Sequence, residues 1–213
     1  DERGRRSVER YFDASGAPLR MPGKHCGLRL EYDDRDRQIA TTYLGPDGEP
    51  IISTNGYVTL RWTLDDEGRR TSESLYDEDG RPMLHPKGYH RCEITYEGAG
   101  ETYRYFDTVG DPTRHSIWGY GFRQVLNEQG KAVEFCFLDA NGRPASPTEG
   151  GFTFLHIKYD ESGREIERRY HDAGNMPTTH RDGNHGYRLK LDEAGRELER
   201  LFFDTRGQPV NIA

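Results

Sequence analysis

Long apolar runs, cysteine and methionine are scarce in this chain, and each scarcity excludes something. Among 213 residues there are three cysteines and three methionines. Cys26, Cys92 and Cys136 show no C-x-x-C spacing and no recurring placement, so neither a disulfide framework nor a thiolate metal site is indicated. They read as buried single thiols. No apolar run reaches membrane length and there is no lipidation motif, which argues against membrane insertion. No ten-residue window keeps a 3.6-residue period free of turn residues, so no helix is expected. Net charge is −7, and Arg alternates with Glu instead of forming a basic stripe, which argues against a nucleic-acid partner. There is no G-x-S-x-G, no Walker loop and no dinucleotide fingerprint. The expectation is a non-enzymatic chain that uses no cofactor.

The core must be thin. Mean hydropathy is −0.99, and 31% of residues are charged. Apolar residues counted with glycine and without tyrosine come to roughly 38%, below the ~45–50% of globular domains. Such a composition suits disorder, but 11% aromatics and regular turn signals argue otherwise. An elongated sheet with much exposed surface reconciles the two.

What is present is a period. Prolines at 18, 50, 82, 112, 144, 177 and 209 are separated by 32, 32, 30, 32, 33 and 32 residues. A spacing of this size marks a tandem array whose units bury surface against one another. Chain 1–213 therefore reads as one array of about seven units, ending near Pro18, Pro50, Pro82, Pro112, Pro144, Pro177 and Pro209. Two residues before each proline stands Gly16, Gly48, Gly80, Gly110, Gly142, Asn175 or Gly207, the residue types that accept positive φ. In six of the seven an Asp precedes by three, giving D-x-x-G, a turn with a mechanism.

A second such series closes at Gly4, Asp36, Gly68, Gly100, Gly130, Gly163 and Gly195. The leg from this series to the proline turn is 12 residues, except 10 between Gly100 and Gly110, a change of two that keeps strand parity. Both legs read as strands. The long leg alternates apolar and polar residues, as in Leu28, Leu30 and Tyr32 or Val58, Leu60, Trp62 and Leu64. The short leg has a charged interior and closes on pairs such as Leu75-Tyr76, Tyr105-Phe106 and Phe202-Phe203, one large residue to each face. The long-leg strand is expected to open on Gly-aromatic pairs: Gly56-Tyr57, Gly88-Tyr89, Gly119-Tyr120, Gly151-Phe152 and Gly186-Tyr187. The fold class is all-β, a tandem array of hairpins forming an elongated twisted sheet or solenoid.

Few residues invite a functional reading. His85, His115 and His180 each follow a unit proline by three, and imidazoles on successive connectors are candidate metal ligands. No HExxH accompanies them, and Pro147 takes that offset in the fifth connector, so a polar rim that tolerates histidine is the better reading. Acidic turns such as Asp77-Glu-Asp-Gly80 lack calcium-loop spacing, and turn chemistry alone explains their Asp and Gly.

The segments Tyr159-Asp-Glu-Ser-Gly-Arg164 and Leu191-Asp-Glu-Ala-Gly-Arg196 resemble the Y-D-x-x-G-R core of YD (RHS-type) repeats, and Tyr76-Asp-Glu-Asp-Gly-Arg81 echoes it. YD repeats recur at about twenty residues, whereas here legs of 12 and 20 alternate; the G-x-P step is fainter in its likeness to WG-type repeats. The resemblance implies β-hairpins wound into a shell, in secreted or cell-surface proteins that encapsulate or bind partners. The function expected is a repeat scaffold presenting a β surface to a protein or glycan. The alternatives are a fibre or cell-surface stalk joined end to end through open repeat edges, with copies of itself as partner, and a shell or accessory module of a larger enzyme or toxin. Opening inside a first turn, the chain also reads as a segment of a longer one.

Overall fold

The computed structural model describes residues 1–147 and 151–212; Thr148, Glu149 and Gly150 of the fifth connector, and Ala213, lie outside the described residues. Thirteen strands and no helix are found among them. They are β1 Val8–Arg10, β2 Gly27–Tyr32, β3 Gln38–Leu44, β4 Thr59–Leu64, β5 Arg70–Tyr76, β6 Arg91–Glu97, β7 Gly100–Phe106, β8 Gly121–Leu126, β9 Ala132–Leu138, β10 Phe154–Tyr159, β11 Glu165–His171, β12 Gly186–Leu191 and β13 Glu197–Phe203. Odd-numbered strands are the short legs and even-numbered strands the long legs.

The chain divides into two compact units, Asp1–Ile94 with Tyr105–Thr113, and Thr95–Arg104 with Arg114–Ala213. In the first, β1 to β5 and the first part of β6 lie side by side in chain order, each antiparallel to the next. In the second, β7 up to Arg104 and β8 to β13 do the same. Among the described residues, strand contacts join strands adjacent in the chain. Each unit is therefore a single antiparallel layer joined by hairpins.

One turn design is used throughout. In the turn opened by Asp160, its N–H donates to the Arg164 carbonyl at 2.9 Å and the Gly163 N–H donates back to the Asp160 carbonyl at 2.9 Å. The Asp160 carboxylate then accepts the Arg164 N–H at 2.8 Å. This is a three-residue hairpin loop whose fourth position takes positive φ and forms a bulge. The same pattern of bonds recurs at Asp13, Asp77, Asp139, Asp172 and Asp204 before the unit prolines. Each of the seven prolines then makes one antiparallel bridge back, from Phe12↔Pro18 to Phe203↔Pro209. A proline offers only its carbonyl, so the contact stops at a bridge and cannot extend into a ladder.

Two expectations are corrected. Spacing puts the fourth long-leg turn at Gly100, opened by Glu97; the structure puts it at Gly98-Ala99, with φ +58 at Gly98. A tight two-residue loop with glycine at its first central position replaces the five-residue turn. Gly100 instead begins β7, which keeps the seven residues of β3, β5, β9, β11 and β13. The two-residue deletion lies in the turn, so the strand loses nothing. The Gly-aromatic pairs also do not open the long-leg strands. Gly56, Gly88 and Gly119 have φ of +85, +98 and +63 and belong to a third turn in the connector, and β4, β6 and β8 begin two or three residues later. Only Gly186 opens a strand, and Gly151 lies before the start of β10.

The third turn roofs one sheet face with aromatic rings. In the first unit a run of rings passes Tyr11, His25, Tyr43, Tyr57, His85, Tyr89 and Tyr105, with successive centroids 5.1–6.4 Å apart. In the second unit Trp118, Phe122, Phe135, Phe137, Phe152, Tyr170 and His180 make an equivalent run at 4.8–5.9 Å. The contacts are tilted, edge or stacked, and such arrangements suit the ring quadrupole when stacked rings are offset. On the opposite face, near the proline turns, Leu44, Val58, Cys136 and Phe203 are buried. Complete burial of a Leu44 or a Phe203 contributes about 1.5–3 kcal/mol each. The core is thin because it is confined to this strip.

Candidate functional site

Away from the proline turns the described faces of each layer are open, and a groove is found in each unit. In the first unit it lies over β3, β4 and β5. Its floor is small: Ala40, Ser72 and Ser74, with Thr63 at its side. Small residues on adjacent strands leave a trough of about 250 Å³ between longer neighbours. One wall is the Glu31–Arg61 ion pair at 3.0 Å, and Tyr76 forms the other, 5.6 Å beneath the Arg61 guanidinium. Hydroxyls and a paired charge line this groove together with Ile39 and Trp62.

The groove of the second unit is larger, about 500 Å³, and apolar at its floor. Val133, Ile157 and Ile166 come from β9, β10 and β11, all at positions whose side chains alternate onto the aromatic face. All three are half-buried, since among the described residues no second layer covers them. The rim is polar: Asn127, Glu128 and Gln129 belong to one turn, and Tyr159 and Asp160 to the next. Lys131 bridges these turns by donating to the Gly163 carbonyl. Arginines make the equivalent link elsewhere. Arg5 donates to the Asp33 carbonyl at 3.2 Å, Arg37 to Asp65 at 2.5 Å and Arg164 to Asp192 at 3.2 Å. Each of these arginines also binds the carboxylate that opens its own turn, at 2.7–2.8 Å. The basic residue closing the D-x-x-G-R segment thus fastens one turn to the next and stiffens the groove rim.

The histidines considered as metal ligands have a different local role. Each takes the first position of the connector turn and caps it through Nδ1. His85 accepts the Lys87 N–H at 3.0 Å, His115 accepts those of Ile117 and Trp118 at 3.1 and 3.2 Å, and His180 accepts that of Asp182 at 3.4 Å. Ser53 serves the same position through its hydroxyl. Burial, and then the Lys87 charge, lower the His85 pKa. Among the described residues, no three His, Cys, Asp or Glu side chains converge as a metal site requires. Pro147 ends the described part of the fifth connector.

Sequence patterning leaves both grooves unseen, because each depends on which residues face one another across three strands. The three cysteines are buried and form no disulfide with one another, and burial pushes the Cys136 thiol up to about 11. Among the described residues no helix is long and apolar enough to cross a membrane. The chain matches no family model and no curated protein.

Proposed function

We propose that this chain is a non-enzymatic scaffold, a tandem array of seven hairpin units, that binds a protein or glycan partner on its open sheet surface. One observation carries the reading. Val133, Ile157 and Ile166 lie half-exposed in a groove of about 500 Å³ that no other described part of the second unit covers. Removing apolar surface from water drives most association, and a contiguous apolar floor with a polar rim is the usual anatomy of a recognition site. The rim turns are held by Lys131 and Arg164, so the groove is formed before a partner arrives.

The test is a photo-crosslinking amino acid placed at Ile166 and, as control, at Lys190 on the other face. Cross-links from Ile166 to one protein or glycan, lost in Ile157→Arg, support the reading. An identical set from both positions, unaffected by Ile157→Arg, refutes it. If the species captured is a second copy of this chain, sedimentation of the parent and of Ile157→Arg separates self-assembly from partner binding.

A further inference from the structure

The face opposite Ile157 and Ile166 carries an imbalance of charge. Cross-strand register sets Lys158 of β10 against Glu167 of β11, and Glu167 against Arg188 of β12. Arg169, two residues along β11, joins them on the same face. The Glu167 side chain is only 9% exposed, with Lys158 Nζ at 3.3 Å, Arg169 Nε at 2.8 Å and Arg188 Nε at 2.6 Å. Three cations therefore surround one carboxylate. Elsewhere Glu31 meets one cation, Arg61, and Glu134 meets Arg123 with the His156 ring beside it.

The donors are also incompletely used. Arg169 Nε and Glu167 Oε1 are close enough to pair, but both are buried without a hydrogen bond of acceptable angle. Arg188 reaches Glu167 through Nε alone. The terminal nitrogens of Arg169 and Arg188 have no protein partner among the described residues. Arg169 is faced by Gly186 from β12 and by His156 from β10. Beneath lies Phe203, with the Arg188 and Arg169 guanidinia 4.8 and 5.8 Å from its ring centroid. The ring holds both guanidinia in place by cation–π attraction.

We propose that Lys158, Arg169 and Arg188 form a binding site for a tetrahedral oxyanion, the sulfate or phosphate monoester group of a ligand, with Glu167 spacing the three cations. A guanidinium presents a planar fork of donors that matches an oxyanion's edge, and Lys158, 65% exposed, supplies a mobile point charge. Chloride is a single sphere and has no separate acceptor oxygens to set against donors spread over three side chains, so the site should discriminate by geometry as well as charge. The inference is independent of the apolar groove, which lies on the other face.

Arginine Nε–Hε signals, followed by NMR while methyl sulfate or methyl phosphate is added, report this site directly. Sodium chloride at matched ionic strength is the control. Saturable shifts at Arg169 and Arg188 are expected with an ester and not with chloride, and the ester that binds more tightly names the source. Lys158→Gln, at an exposed position, should keep the amide spectrum and weaken binding about tenfold, as should Arg188→Gln. Arg123→Gln should leave affinity unchanged. Equal shifts with chloride, or unchanged affinity in both Lys158→Gln and Arg188→Gln, would overturn the proposal.

Discussion

Gly80 closes a proline turn at φ +74, and its N–H donates to the Asp77 carbonyl at 3.2 Å. A Cβ placed there would meet no atom within 4 Å, so substitution at this position brings no packing clash. What remains is the backbone. An L-residue in the left-handed region is less stable by about 1–2 kcal/mol, and valine, branched at Cβ, moves toward about 3. Replacing glycine also removes freedom from the unfolded chain, which returns about 0.4–1 kcal/mol. The net expectation for Gly80→Val is a loss of about 2 kcal/mol. In a chain of this size each kcal/mol shifts Tm by about 2–4 °C, so Tm should fall by roughly 4–8 °C. Gly80→Asn is the internal comparison. Asp36 and Asn175 already hold φ of 61 and 58 in equivalent turns, so asparagine should lose less than about 1 kcal/mol. Glu197→Ala removes an exposed ion pair with Arg200 and should change stability by no more than about 0.5 kcal/mol. Thermal unfolding followed by circular dichroism, with urea midpoints beside it, ranks the three. If Gly80→Val melts with Gly80→Asn and Glu197→Ala, the turn geometry does not limit stability and the reasoning fails.

Other outcomes follow from the same geometry. A Cβ at Gly186 would overlap the Arg168 carbonyl oxygen of the facing strand, and backbone cannot swing aside as a side chain can. Gly186→Ala should lower stability by about 3 kcal/mol in urea unfolding, and a parental midpoint would show that β11 and β12 do not approach so closely. His171 lies between His156 and His185, at 4.4 and 5.1 Å between ring centroids. Burial first, and then the charges of His156, His185 and Arg169, hold its pKa down to about 4. The unfolded chain takes up that proton near 6.5, so this stability is whole above about pH 6.5 and is lost as pH falls toward 4. The ring is partly exposed, which limits the loss to about 1–2 kcal/mol. His171→Gln should flatten the fall in urea midpoint over that window. The turn carboxylates Asp160 and Asp192, held low first by the N–H groups of Arg164 and Arg196, titrate below it. An unchanged slope in His171→Gln would refute the assignment. The buried thiols Cys26, Cys92 and Cys136 should react with a thiol reagent only on unfolding, and rapid labelling of the native protein would contradict their burial.

How much of this was readable from the residues depends on whether the determining contact is local. A turn is local. Asp160 and Gly163 lie three residues apart, the bonds that define the turn run between them and Arg164, and the motif carries its own mechanism. Strand count and parity follow from the turns, because every leg lies between two of them. The third turn escaped because its first position is filled by Met21, Ser53, His85, His115 or His180. Only an Asp or Asn there makes a recognisable motif, although an imidazole Nδ1 accepts the same N–H. The Gly98 turn escaped for the opposite reason. Gly98 and Gly100 both fit a glycine-closed pattern, and only φ distinguishes them. The grooves and the Lys158–Glu167–Arg188 row are not local. Nine residues separate Lys158 from Glu167 and twenty-one separate Glu167 from Arg188, and what joins them is register, set in turn by a bulge after Lys158 and by the connector between β11 and β12. A one-residue change in either would carry Lys158 or Arg188 to the aromatic face. Charge alternation along the strands is visible in the sequence and reads as a solvated face with paired ions. That reading describes Arg61–Glu31 and Arg123–Glu134 well. It fails at Glu167 because alternation fixes which side a charge takes and leaves open how many opposite charges it meets there.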